Sequence, residues 1–225
     1  MSKPVLIRQH VESAPPGLLA EWLDSLALSY EVDRSWLGNP LPDPREYACV
    51  VSLGHDAGAY ETHVPAVAGE LELLRHAVAA DVPVLGLCFG GQALAAALGA
   101  KVERAPTPEL GWHEIVTDDA RVVPPGPWLE WHYDRFVIPP GAAELARTAH
   151  ASQAFRLGPH LGVQFHPEAT VEIVADWAAA EGVPEKAPTA TPEQRAAARA
   201  AAFTLFNAFY ASADQIDRPF APSAV

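Results

Sequence analysis

Basic residues are scarce in this chain, cysteine is nearly absent and long apolar runs are missing. Lys and Arg number 15 against 28 Asp and Glu, a formal charge of −13 over 225 residues. A surface that neutralises phosphates needs the opposite balance, so neither nucleic acid nor an anionic membrane is an expected partner. No apolar run reaches the ~18 residues that a membrane-spanning helix needs. The opening Met-Ser-Lys-Pro-Val-Leu-Ile lacks the longer apolar core of a secretory signal. The two cysteines, Cys49 and Cys88, suit reduced thiols better than a disulfide framework. These absences together lead us to expect a cytoplasmic protein. The phosphate-cradling pattern G-x-x-x-x-G-K-[ST] is also missing, so the chain is not expected to activate an acceptor with ATP. His55, His63 and His113 share no ligand spacing, and no metal is expected.

What remains is ordinary globular material, 49% hydrophobic and 19% charged, of a length that suits one α/β domain over residues 1–225. Runs at 4–9, 30–36 and 47–53 read as strands. Residues 17–28 carry Leu18, Leu19, Trp22, Leu23 and Leu26 on one helical stripe, and 70–80 carry Leu71, Leu74 and Val78 on another. Residues 38–44 are a proline-rich loop. An apolar strand at 82–87 precedes an Ala/Leu helix at 93–98. Strands alternating with helices predict a mostly parallel sheet flanked by helices, with its ligand crevice beyond the carboxyl ends of the strands. Short β-like pieces at 101–104, 112–117, 131–137 and 153–157, cut by Pro and Gly clusters, predict a small antiparallel excursion. A last inner strand is expected at 161–165 and a loop-like stretch at 176–190. Thr191-Pro192-Glu193-Gln194 is a capping-box pattern that opens a helix to about residue 211, with a frayed tail after it.

Cys88 sits between the buried strand and the helix, flanked at two residues by Gly86 and Gly90. That spacing fits a sharp strand–nucleophile–helix turn, the logic of the G-x-S-x-G elbow with sulfur for oxygen. The helix end is expected to favour the thiolate. A buried structural cysteine beside a tight turn is the bland alternative. A cysteine nucleophile needs a base held by a third group, and His166-Pro167-Glu168 offers an imidazole and a carboxylate two residues apart. In extended chain such positions face one side. Either half is weak alone, because His-x-Glu occurs by chance; together at strand ends they predict a Cys88–His166–Glu168 triad.

The stretches Pro83-Val-Leu-Gly-Leu-Cys88-Phe-Gly-Gly-Gln92 and Gln164-Phe-His166-Pro-Glu168 resemble the class I glutamine amidotransferase family. Within it the chain is most similar to stand-alone proteins related to the glutaminase domain of GMP synthase. Glu109-Leu-Gly-Trp112, Trp131-His-Tyr-Asp134 and Gln153-Ala-Phe155 extend the likeness over about residues 50–175. The resemblance implies a flavodoxin-like fold, no cofactor, and thiolate attack on the γ-carboxamide of glutamine through a γ-glutamyl thioester. His166 then moves protons in both half-reactions, as base and then acid. The N–H of Phe89 and the loop Leu53-Gly54-His55-Asp56 are the implied oxyanion donors. His55 stands where the family has a glycine, which limits the loop's conformations. Gln92 matches a glutamine that holds the substrate's γ-glutamyl end. His132 and Asp134 match the family's His-x-Asp stretch and are candidates for substrate binding, with a solvated surface hairpin as the alternative. Cys49 reads as packing.

Two catalytic readings stay open: a glutaminase that passes ammonia to a separate synthase chain, and a free-standing γ-glutamyl amide or peptide hydrolase. A non-catalytic regulatory protein on the same fold is a third, disfavoured by an intact triad. Both catalytic readings take a small-molecule substrate, glutamine or another γ-glutamyl compound.

Overall fold

The computed structural model describes residues 3–214. The strands β1 (Val5–Gln9), β2 (Tyr30–Arg34), β3 (Cys49–Ser52), β4 (Val84–Leu87) and β10 (His160–Val163) run parallel. Beyond β10, the strands β9 (Ser152–Leu157), β8 (Ala143–Arg147) and the short β6 (Val116–Thr117) continue antiparallel. Together they form one eight-stranded sheet in the order β2-β1-β3-β4-β10-β9-β8-β6. Taking β10 as the fifth parallel strand, the order is the 2-1-3-4-5 of flavodoxin-like folds. A separate two-stranded antiparallel sheet pairs β5 (Val102–His113) with β7 (Trp128–Phe136).

The inner strands read as unbroken apolar runs because both faces are covered. One layer packs α1 (Gly17–Ser25) and α5 (Pro192–Asp214) over Ile7, Val51 and Leu85. The other packs α2 (Pro65–Ala79) and α3 (Phe89–Ala97) over Leu6, Val50 and Val84. A third, smaller core joins β7 to α4 (Val171–Ala180) through Leu129, Trp131, Val171 and Val174. Among the described residues no helix is long and apolar enough to cross a membrane.

Several boundaries differ from the sequence reading, each for a local reason. Helix α1 stops at Ser25, Leu26 is 50% exposed, and Ala27 turns the chain at φ 52°. Helix α2 begins five residues early, with Pro65 at its first turn where no N–H is needed. Helix α3 starts directly after Cys88 and carries Gly90 and Gly91 within it. A Cβ at Gly90 would run into the Ser52 carbonyl, and one at Gly91 into the Val163 carbonyl. Close packing on two strands, not a loop, explains that glycine pair. Strand β5 is one bulged element that runs through Pro106 and Pro108, in place of the two separate pieces expected. Strand β8 has no strand-like alternation in its sequence; its antiparallel pairing with β9 makes it a strand. The stretch from residue 176 is helical to Ala180, so α4 occupies the first part of the expected loop. The capping box is present, with Thr191 N–H donating to Gln194 Oε1 (2.8 Å) and Gln194 N–H to Thr191 Oγ1 (3.3 Å). The frayed tail lies outside the described residues.

Candidate active site

Cys88 caps the N-terminus of α3 at φ 52° and ψ −109°, a left-handed conformation that costs a non-glycine residue ~1–3 kcal/mol. Backbone bonds over-determine it: Cys88 N–H donates to Val163 O (2.9 Å), Gly90 N–H to Leu53 O (3.2 Å) and Gln92 N–H to Cys88 O (3.0 Å). Both glycines of the elbow are needed for room, since a Cβ at Gly86 would strike the Gly90 carbonyl. The sulfur thus leaves a strained turn at the carboxyl end of the sheet.

The chain after β10 supplies the imidazole and carboxylate. The strand ends at Val163, two residues before the expected boundary, because a new partner takes over. Gln164 N–H still reaches Gln153 O (2.9 Å), but His166 N–H donates to Leu129 O on β7 (2.8 Å). His166 Nδ1 lies 2.7 Å from Glu168 Oε1, and both side chains are buried. The Glu168 carbonyl accepts from Leu18 N–H at the start of α1 (2.8 Å), and a side chain at Gly17 would collide with it. Trp177 of α4 packs on the His166 ring at 4.7 Å and donates its Nε1–H to Ser13 O (2.7 Å). Burial, the largest influence, works against a charged His166. Electrostatic attraction and hydrogen bonding from Cys88 and Glu168 outweigh it, holding the imidazole well above its ordinary range.

Cys88, His166, Gly54, His55, Phe89, Gln92, His132 and Asp134 all line one cavity of about 360 Å³, within the usual range for a small-molecule site. Glu168 sits behind His166. The Phe89 N–H opens α3 and so has no acceptor within the helix. Its ring is held between His55 and His10, each at 5.1 Å. His55 accepts the Ala57 N–H on Nδ1 (2.8 Å), which puts its own proton on Nε2. Burial lowers the His55 pKa, so the ring is neutral.

His132 and Asp134 are no surface hairpin: they are 3% and 9% exposed. His132 Nδ1 approaches Asp134 O (2.9 Å), and Nε2 lies 3.2 Å from Glu109 and 3.3 Å from Glu130. Burial opposes the charge on His132, but hydrogen bonds and Coulombic attraction from the two carboxylates raise its pKa to about 10. The Asp134 carboxylate is shared by Arg104 (3.2 Å) and the Tyr60 hydroxyl (3.2 Å) at the mouth. Gln92 donates to Asp134 O (3.1 Å), and its NH2 also faces Gln164 Oε1 (3.4 Å).

Sequence reasoning missed Gln164, Trp177 and Glu181. Gln164 shares the two-residue spacing of His166 and Glu168, a signal that was available. Glu181 accepts from Trp131 Nε1 (2.7 Å) and the Tyr133 hydroxyl (2.7 Å), tying the end of α4 to β7; no local pattern foretells that. Cys49 is buried in β3, its thiol pushed up to about 12 by burial. Among the described residues no group of three or more His, Cys, Asp or Glu is arranged to hold a metal ion.

A flavodoxin-like sheet that carries a cysteine on a strained strand–helix elbow, with an imidazole in the same cavity and a carboxylate behind it, narrows the class to thiol-bearing α/β proteins. Within that class the chain belongs to the glutamine amidotransferase class-I family, whose model matches residues 57–174. It is 35% identical over 162 residues to the glutamine-hydrolyzing GMP synthase of Aeropyrum pernix, a match covering 66% of this chain but only 30% of that protein. It is 31% identical over 138 residues to a glutamine-hydrolyzing GMP synthase subunit of Ignicoccus hospitalis, over 57% of this chain and 71% of that one. A solved structure described as a glutamine amido transferase from Methylobacillus flagellatus superposes with a TM-score of 0.83 at 27% identity, covering 100% of this chain and 99% of that one.

Proposed function

We propose that the protein is a cysteine-dependent glutaminase that hydrolyses the γ-carboxamide of glutamine and releases ammonia to a separate acceptor or partner chain. The observation that carries this reading is the 2.7 Å His166–Glu168 contact, with His166 and Cys88 lining one cavity. Beside Cys88, His166 is placed to take the thiol proton and later to return it to the leaving amine. The thiolate attacks the γ-carbon, and the oxyanion is met by the N–H groups of Phe89 and the Gly54–His55 loop. As the C–N bond breaks, His166 protonates the leaving amine. A water then attacks the thioester, His166 takes its proton, and glutamate leaves as the thiolate is restored. Gln92 holds the γ-glutamyl end, with His132 and Asp134 at the far wall.

A free-standing γ-glutamyl amide hydrolase is favoured by one observation. Trp177, which packs on the His166 ring, lines the cavity together with Val11 and Ala14, apolar surface that a leaving ammonia does not need. Glutamate release by the purified protein, measured on glutamine and on γ-glutamyl amides of larger amines, separates the two. Turnover of glutamine that rises with a partner chain supports the glutaminase. Partner-independent turnover of a bulky amide, with KM raised by Trp177→Ala, supports the hydrolase. Failure of a glutamine-analogue electrophile to label Cys88, with Cys88→Ala as the blank, refutes both.

A further inference from the structure

We propose that Gln164 donates a hydrogen bond to the Cys88 sulfur, and that a chain of buried amides running back to β7 sets the direction of that bond. The inference rests on Cys88 being the nucleophile.

The Gln164 side chain is fully buried, and its Nε2 lies 3.7 Å from Cys88 Sγ. An amide can turn either end to a sulfur, so the contact alone does not say whether Gln164 donates or accepts. Its neighbours decide. The backbone carbonyl of Asp134 can only accept, and two groups converge on it: His132 Nδ1 at 2.9 Å and Gln92 Nε2 at 3.1 Å. Turning Gln92 over would set its oxygen against that carbonyl, acceptor against acceptor. Its NH2 end is therefore fixed, and the second hydrogen faces Gln164 at 3.4 Å. Gln164 must answer with its oxygen, which leaves its own NH2 directed at the sulfur. Turning Gln164 over would oppose two donors in a site that holds Gln164 and Gln92 at 0% and 4% exposure, where an unpaired polar group is costly. The Gln164 backbone is pinned as well, through its N–H on Gln153 O at 2.9 Å.

A donor aimed at sulfur is strongest when the sulfur carries charge. Gln164 therefore stabilises the free thiolate before attack and the departing thiolate when water releases the acyl group, and contributes little to the neutral thioester between. This role does not duplicate that of His166, because no proton is transferred. The titratable groups coupled to the sulfur are His166, backed by Glu168 after β10, and His132, backed by Glu109 on β5 and Glu130 on β7. Gln164 adds a donor that titrates at no accessible pH.

The test is alkylation of Cys88 by iodoacetamide in the full chain, followed on the Cys88 peptide by mass spectrometry across pH, with thermal melting as the check on folding. Gln164→Met keeps the length and removes the donor; Gln164→Glu puts an acceptor in its place. We expect alkylation at neutral pH to slow roughly tenfold in Gln164→Met, and further in Gln164→Glu, with the midpoint of the profile moved upward. In the unaltered protein, the Gln164 side-chain NH2 resonance should shift when Cys88 is alkylated, a readout that requires no folded variant. Wild-type alkylation rates and midpoints in both folded variants, or a Gln164 resonance blind to alkylation, overturn the proposal. Since iodoacetamide needs no γ-glutamyl recognition, slowed alkylation in a protein that hydrolyses nothing, alone or with a partner chain, would refute the glutaminase reading and leave this one standing.

Discussion

Glu168→Gln removes one charge and almost no volume, so it isolates what the carboxylate does for His166. The pair is buried, with Oε1 2.7 Å from Nδ1. A hydrogen bond to a charged group of this kind contributes ~1.5–3 kcal/mol, a roughly 10- to 150-fold change in how readily the ring holds its second proton. A further loss follows from the other oxygen. Oε2 has no hydrogen-bond partner among the described residues, so no neighbour fixes which way a replacement amide turns. With its NH2 toward the ring, Nδ1 must accept and the proton moves to Nε2, the wrong tautomer for taking a proton from water. In hydrolase triads that error costs roughly 10⁴ in kcat. We therefore expect kcat to fall between ~10² and ~10⁴ while KM changes by less than about threefold. Steady-state glutamate release from the best γ-glutamyl substrate measures it, with Cys88 alkylation as a second readout of the lost imidazolium. A kcat within about twofold of wild type would refute the coupling of Glu168 to the reacting proton.

Three further substitutions probe the elbow, the far wall and the oxyanion loop. Gly90→Ala drives a Cβ into the Ser52 carbonyl, a backbone atom of an inner strand that yields little. A loss of ~1–3 kcal/mol and a melting drop of roughly 3–10 °C are expected, and an unchanged melting temperature would mean the elbow has slack. His132 is raised from 6.5 to about 10 in the folded state, so its contribution to stability is complete below the unfolded value and is lost as pH climbs toward 10. The wild-type melting temperature should therefore decline between pH 7 and 10 more steeply than that of His132→Gln, and parallel curves would contradict the buried cation. His55→Gly removes the acceptor of the Ala57 N–H, one hydrogen bond of ~1 kcal/mol, and loosens the loop. A roughly fivefold lower kcat is expected; a faster enzyme would show that His55 hinders the loop rather than holding it.

The parallel half of the sheet was legible because burial on both faces writes the inner strands as short apolar runs, as in Val50-Val51 and Val84-Leu85. The elbow was legible through Gly86 and Gly90, whose missing side chains are required by carbonyls within van der Waals reach. What failed were signals that depend on distant partners. The Ala/Leu pattern starts the helix only at residue 93, yet Gly90 and Gly91 lie inside α3, because strands β3 and β10 approach where their side chains would be. Asp176 to Ala180 read as loop, yet burial of Val174 and Ala178 against β7 stabilises the helix. Of the site, Cys88, His166, Phe89, Gly54, His55, Gln92, His132 and Asp134 line one cavity. Gln164 was in view as part of the motif, but its partners, Gln92 and Cys88, lie 72 and 76 residues away.

The small β5–β7 sheet therefore does more than fill an edge. Leu129 O takes the His166 N–H away from the main sheet, Asp134 O receives both His132 and Gln92, and Trp131 and Tyr133 hold Glu181. All but the His132 contact, which lies within β7, run from β7 to another element or segment around the site. The parallel sheet supplies the strained cysteine, as in any elbow of this kind, while β7 fixes the orientation of the groups around it. A substitution that slips the β5–β7 register by one residue would turn His132 and Asp134 to the opposite face and free the Asp134 carbonyl from both donors. The sulfur would stay on its elbow with the imidazole and amide no longer aimed at it. Loss of Cys88 reactivity without loss of the flavodoxin-like core is the expected signature of damage to this sheet, and it distinguishes β7 as the organiser of the site from β7 as mere cover.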